Sequence, residues 1–175
     1  MVLSPEPIGD AVEIIARFDP RRADVYPHGG TFNNNVIAMA AGHAALTSVL
    51  TTEAQGRMNT LGDRLRTRLN DLARKHAVPM QASGLGSIFA THFHAGPTHN
   101  AGDHDRGEHG REHVIGDLKK LFHLDMLAAG QYISRRIMGN LSIETSDAEA
   151  DAFCQAVEEF LVSRGDLVRA AVQPG

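Results

Sequence analysis

The stretch Pro27-His28-Gly29-Gly30-Thr31-Phe32-Asn33-Asn34-Asn35 holds the first residues that could do chemistry. Paired glycines let a backbone turn sharply and approach another group closely. Thr31 adds a hydroxyl and a main-chain N–H, and the asparagines can cap the helix that follows. Free N–H groups and the helix dipole favour an anion at such a start, so a phosphate could rest there; a plain capped turn is the alternative. A second group is the histidines His92, His94, His99, His104, His109, His113 and His123, with Asp103 and Asp105 among them. His109 and His113 stand four apart, as two zinc ligands on one helix face would, but no HExxH framework or cysteine accompanies them. A solvated loop with ordinary strand histidines is the reading we adopt, and a His-rich metal-binding domain the distant alternative. Arg135 and Arg136 could clamp a carboxylate bidentately, or simply occupy a surface turn. Ser87 and Ser142 lie in no nucleophile elbow, and Cys154 reads as a small buried thiol inside a helix.

These groups need elements to hold them. Ala11 to Phe18 reads as a short helix stopped by Asp19-Pro20, and Arg21 to Tyr26 as loop. Val36 to Leu50 reads as a helix whose small residues Ala38, Ala41, Gly42 and Ala45 predict burial on more than one side. Met58, Leu61, Leu65, Leu69 and Leu72 recur at three- and four-residue steps and predict a helix from Glu53 to about Lys75, capped by Thr52 with Gln55. Its arginines, interspersed with Asp63 and Asp71, read as a solvated face. Val78–Ala82 and Gly86–Ala95 read as strands, with Phe89 and Phe93 turned to a core. A Gly- and His-rich loop leads to a helix from Glu112 or His113 to Ala129, closed by Gly130. Tyr132-Ile133 and Leu141–Ile143 read as short strands. The last helix is expected from Ser146, with Glu149 in capping-box position, to about Arg164, ended by Gly165.

The bulk properties narrow the function classes. Hydrophobic residues make up 42% and charged residues 22%, the balance of a folded globular chain. The net charge of -4 argues against nucleic acid as a partner. A single cysteine excludes an internal disulfide framework and fits a reducing, cytoplasmic setting. No apolar run reaches membrane-spanning length. The fold class expected is α+β: two helices, then a small domain with a short antiparallel sheet covered by helices.

The order of motifs resembles the class III pyridoxal-phosphate-dependent aminotransferases, with glutamate-1-semialdehyde aminomutase and its aminotransferase relatives as the nearest branch. Gly29 to Asn35 followed by Ala38-Met39-Ala40-Ala41-Gly42 carries the likeness. Gly84-Leu85-Gly86-Ser87-Ile88-Phe89, Met126-Leu127, Gly130-Gln131-Tyr132, Arg136 and Leu141-Ser142 support it. The resemblance implies that 1–76 is the C-terminal remnant of the large cofactor domain, with its phosphate-contact turn at 28–35, and that 77–175 is the small C-terminal domain. It implies pyridoxal 5'-phosphate as cofactor, with Gly30 and Thr31 touching the cofactor phosphate of a partner subunit in a homodimer. It also implies a small amino-acid or keto substrate, undergoing amino-group transfer or 2,1-amino migration, and places Arg136 near the substrate entrance. The family's chemistry requires a lysine that forms an imine with the cofactor, N-terminal to this turn. Here no lysine precedes Thr31; the chain's lysines are Lys75, Lys119 and Lys120. The expectation is therefore an incomplete site without independent activity, or a non-catalytic dimerisation module pairing with a full-length relative.

Overall fold

The computed structural model describes residues 16–19, 21–26, 35–94, 96 and 112–172, which fall into two compact units divided between Ser48 and Val49. Within the first, the Tyr26 N–H donates to the Arg17 carbonyl at 2.9 Å. Helix α1 spans Val36–Ala44, capped by Asn35, whose side chain accepts from the Ala38 N–H at 3.0 Å. The helix then widens into a π-helical turn, Ala45–Val49, where the single helix to Leu50 was expected. The Thr47 hydroxyl donates back to the His43 carbonyl at 2.8 Å there. The burial predicted from the small-residue stripe is not found: no residue of α1 is buried. A small-residue face permits close packing but supplies no partner.

The second unit is α+β. Its elements are α2 (Thr52–Lys75), β1 (Gln81–Leu85), β2 (Ile88–His92), α3 (Glu112–Ala128), β3 (Met138–Asn140) and α4 (Asp147–Val172). Thr51, not Thr52, caps α2, accepting from the Ala54 N–H at 3.1 Å; Gln55 instead donates to the Leu50 carbonyl. The strands form an antiparallel sheet in the order β1-β2-β3, with Ser83 opposite Ala90 and Phe89 opposite Gly139. The Asn70 amide blocks the outer edge of β1, donating to the Ala82 carbonyl and accepting from the Ala82 N–H. A side chain thus occupies a ladder position that would otherwise invite another strand.

One face of the sheet is covered. Phe89 and Phe93 point inward as their alternation predicts, Phe89 meeting Phe153 with ring centres 5.7 Å apart. Phe93, Phe122 and Phe160 form a second aromatic cluster, Phe122 and Phe160 edge-on at 5.0 Å. Leu65, Leu69 and Ala73 of α2 and Val157, Leu161 and Val168 of α4 complete the core. The arginine-rich face of α2 is not merely solvated. Arg64 pairs with Asp147, Arg68 with Asp151 and Lys75 with Glu158, each pair 83 residues apart. A constant offset means that α2 and α4 run side by side in the same direction. Exposed pairs of this kind contribute about 0–1 kcal/mol each and fix register more than stability.

Several boundaries differ from the sequence expectation: β1 runs over Gln81–Leu85 rather than Val78–Ala82, and β2 over Ile88–His92 within the expected Gly86–Ala95. Tyr132-Ile133 and Leu141–Ile143 are not strands; β3 lies between them, and its pairing extends only by single bonds from the Leu141 N–H to Ser87 and from the Thr91 N–H to Ile137. Gly139 makes this possible, because a Cβ there would sit 2.6 Å from the Phe89 ring. Finally, α4 does not stop at Gly165 but continues to Val172. Gly165 is buried within the helix, where a Cβ would lie 3.0 Å from Val78, so close packing rather than termination explains it. Its start is as expected: Ser146 and Glu149 exchange hydrogen bonds in a capping box. Gly130, at φ 75°, follows α3 as predicted.

Candidate functional site

The covered face of the sheet contrasts with the other, on which Ser83, Ala90, His92 and Met138 border an open recess of about 670 Å³. Helix α3 supplies one wall through Gly116, Lys119 and Lys120, and the turn before β3 supplies Arg135 and Arg136. That turn carries backbone strain: the fully buried Ile137 has φ 52°, a conformation that a β-branched side chain rarely adopts. Burial of Ile137 thereby holds both arginines at the rim. At the floor, the Ser83 hydroxyl and His92 Nε2 are 2.8 Å apart. Among the described residues that line the recess there is no carboxylate. Lys120 is neutralised by Asp117 outside it, whereas Lys119, Arg135 and Arg136 have no ion pair among the described residues.

The sequence singled out Arg135 and Arg136, and the structure brings them together with two lysines that sequence reasoning left in an ordinary helix. Adjacent lysines followed by an apolar run gave no signal by themselves; the fold places them opposite the arginine turn. Gly30 and Thr31 lie outside the described residues, as do His99, His104 and His109. Among the described residues no three His, Cys, Asp or Glu side chains converge as a metal site. His113 is exposed, and His123 Nδ1 hydrogen-bonds with the Ile133 carbonyl at 2.9 Å. Cys154 is buried, as expected, and burial pushes its thiol pKa up, which makes it a poor nucleophile. Ser142 shares a local turn with Thr145 and Glu144, and the Ser87 N–H donates to Asn59; neither hydroxyl faces a base.

A second recess of about 410 Å³ has an apolar floor of Leu65, Phe89 and Phe153 and a polar rim including Gln131, Asn140, Thr145 and Glu149. Among the described residues that line it there is no cation and no nucleophile with an adjacent base.

Residues 6–161 match the family model of class-III aminotransferases. The chain belongs to the class III aminotransferases. This class III aminotransferase chain is 37% identical over 160 residues to the β-phenylalanine transaminase of Variovorax paradoxus, covering 91% of the chain and 35% of the relative. The crystal structure of that β-phenylalanine aminotransferase superposes with a TM-score of 0.75, over 89% of this chain and 34% of the other. An ω-transaminase from Sphaerobacter thermophilus superposes with a TM-score of 0.67 at 29% identity, over 87% of this chain and 34% of that one. A glutamate-1-semialdehyde 2,1-aminomutase of Staphylococcus saprophyticus is 37% identical over 92 residues, covering 53% of the chain and 21% of the relative. The chain thus spans about a third of the length of the transaminases and about a fifth of the aminomutase.

A pyridoxal-phosphate bed needs a lysine, an acid for the ring nitrogen and a phosphate cradle. The described residues do not bring these together. Lys75 is committed to Glu158, and Lys119 and Lys120 border a recess lined by no acid among the described residues. The described part of this aminotransferase chain therefore forms no such bed on its own.

Proposed function

We propose that the chain works as part of a pyridoxal-phosphate-dependent class III aminotransferase, in which amino groups pass between a small amino acid and a keto acid. The observation that carries this reading is the likeness to the β-phenylalanine transaminase along 91% of the chain. The sequence likeness to the Staphylococcus saprophyticus aminomutase extends over 53% of the chain, against 91% for the transaminase, which supports transfer over 2,1-amino migration. In this reading 1–76 is the end of the cofactor domain and 77–175 the small domain. Gly30 and Thr31 grip the cofactor phosphate in a partner subunit, and Arg136 holds a substrate carboxylate through paired N–H bonds. When bound, the cofactor supplies the electron sink that labilises bonds at the amino-bearing carbon. The lysine that would hold it is not among Lys75, Lys119 and Lys120, so the 175 residues alone are inactive. A cytoplasmic, reducing setting suits the lone Cys154 thiol.

The test is absorbance of the purified chain after pyridoxal phosphate is added and excess removed. The expected result is no stoichiometric band; one that borohydride fixes at a single lysine would overturn the inactivity. A second reading, a non-catalytic module pairing with a full-length relative, is supported by the exposed apolar residues of α1. Mixing the chain with such a relative and finding no co-migration on a sizing column would sink it.

A further inference from the structure

The described residues include 15 lysines and arginines, and 10 of them are ion-paired: Arg21, Arg22, Arg64, Arg66, Arg68, Arg74, Lys75, Lys120, Arg164 and Arg169. Of the remaining five, Arg17 and Arg57 lie elsewhere, while Lys119, Arg135 and Arg136 border the one recess on the open sheet face. In a chain with net charge -4, where acids meet nearly every other described cation, this concentration of positive charge without an ion pair among the described residues is selective. Like charges held together repel, and the strained turn at Ile137 adds to that cost. A counter-charge from outside the chain would offset both.

We propose that this recess binds a doubly charged tetrahedral oxyanion, the phosphate group of a small phosphomonoester or inorganic phosphate. Three elements direct donors to it: the α3 ammonium of Lys119, the guanidinium groups of Arg135 and Arg136, and the Ser83 hydroxyl with its His92 neighbour on the strands. A planar carboxylate is satisfied by one guanidinium's two parallel N–H bonds, whereas donors arriving from several directions match a tetrahedral group. Gly116 keeps the volume open: its position in the middle of α3 costs about 1 kcal/mol of helix propensity relative to alanine, yet a Cβ there would meet nothing within 4 Å. Among the described residues of the lining no carboxylate competes for the anion. Arg136 also figures in the aminotransferase reading; Lys119, Arg135 and Ser83 do not, and the variants below separate the two.

Calorimetric titration of the full chain at low ionic strength with inorganic phosphate, phenyl phosphate and succinate tests the proposal. Saturable binding of both phosphates, at one per chain and at least several-fold tighter than succinate, is expected. The double variant Lys119→Gln/Arg135→Gln should weaken it by roughly tenfold or more, since charge-assisted bonds to two cations are lost. Arg57→Gln, which removes an unpaired cation outside the recess, should leave it unchanged. Gly116→Glu supplies an independent probe: it fits the helix, improves its propensity and places an acid in the recess, and should abolish binding while raising or preserving the melting temperature. Succinate binding as tightly as phosphate, equal weakening by Arg57→Gln, or no saturable phosphate binding would each overturn the proposal. None of these outcomes touches the absorbance test of cofactor attachment.

Discussion

Helices α1 and α2 invert the usual relation between composition and burial. In α1, Val36-Ile37-Ala38-Met39-Ala40-Ala41-Gly42-His43-Ala44 is almost wholly apolar, yet no residue is buried, and Val36 and Ile37 are each 80% exposed. In α2, five arginines interrupt a sequence that nevertheless buries Ala54, Leu61, Leu65, Leu69 and Ala73. The difference lies in geometry and partners. The leucines of α2 recur on one stripe and meet β1 and α4, whereas α1 is apolar all round and none of its residues is buried. Burial of apolar area stabilises at roughly 25 cal/mol per Å², but only when something excludes the water.

The comparison breaks first at the core that α2 serves. Phe160, 2% exposed, touches Phe93 and Phe122 with its ring. Phe160→Ala should cost about 3–5 kcal/mol, read as a lowered midpoint in urea unfolding. A loss below about 1 kcal/mol would mean that the aromatic cluster does not hold this unit together.

Glycines sharpen the contrast within α2 itself. A Cβ at Gly62 would lie 2.1 Å from the Gly86 carbonyl oxygen, backbone against backbone at the β1–β2 turn, whereas one at Gly56 meets nothing within 4 Å. Gly62→Ala should destabilise by about 1–3 kcal/mol through overpacking. Gly56→Ala on the same helix should stabilise by up to about 1 kcal/mol through helix propensity. Thermal unfolding of the two variants side by side checks the opposite signs.

A smaller effect is expected at the start of α4. Ser146→Ala removes a capping box and should cost about 1 kcal/mol at neutral pH. The Ser146 backbone N–H, then its hydroxyl, hold the Glu149 carboxyl below its ordinary value. A depressed folded pKa contributes stability above the ordinary carboxylate range that is lost as pH falls through the folded value. Melting temperature against pH should therefore fall less steeply on the acid side in Ser146→Ala than in the parent chain. Identical acid limbs would show that the box contributes nothing to pH dependence.

Patterns confined to one element were legible in the sequence: the leucine stripe of α2, the inward Phe89 and Phe93, the Ser146–Glu149 box and the terminating Gly130. What escaped depended on contact between elements. Glycine 165 has the composition of a helix stop, but Val78 packs against it and the helix continues. The apolar pairs Tyr132-Ile133 and Leu141–Ile143 suggest strands, yet Gly139 between them is where the backbone can approach Phe89. For the same reason the basic recess was half visible. Arg135 and Arg136 announce themselves as a pair, while Lys119 becomes their neighbour only when α3 lies beside the sheet. The capping asparagine of α1 was foreseen, but the lack of cover over its stripe was not, since a pattern states what a helix can bury and not what is there to bury it.

The smallest effect on stability is therefore expected where composition is most apolar. Ile37→Ser and Met39→Ser, at positions 80% and 63% exposed, should shift the unfolding midpoint by no more than about 0.5 kcal/mol, because no buried contact is lost. A loss of 1 kcal/mol or more would show that α1 is packed in solution and that its contrast with α2 is false. Self-association should respond in the opposite sense. Val36, Ile37, Met39 and Leu46 leave water exposed to a dense apolar surface, which association would cover. Sedimentation velocity at rising concentration should show the parent chain associating and the Ile37→Ser/Met39→Ser double variant shifted towards monomer. Equal association in both would mean that copies of the chain meet elsewhere, and the exposure of α1 would then lose its claim to be an unfilled interface.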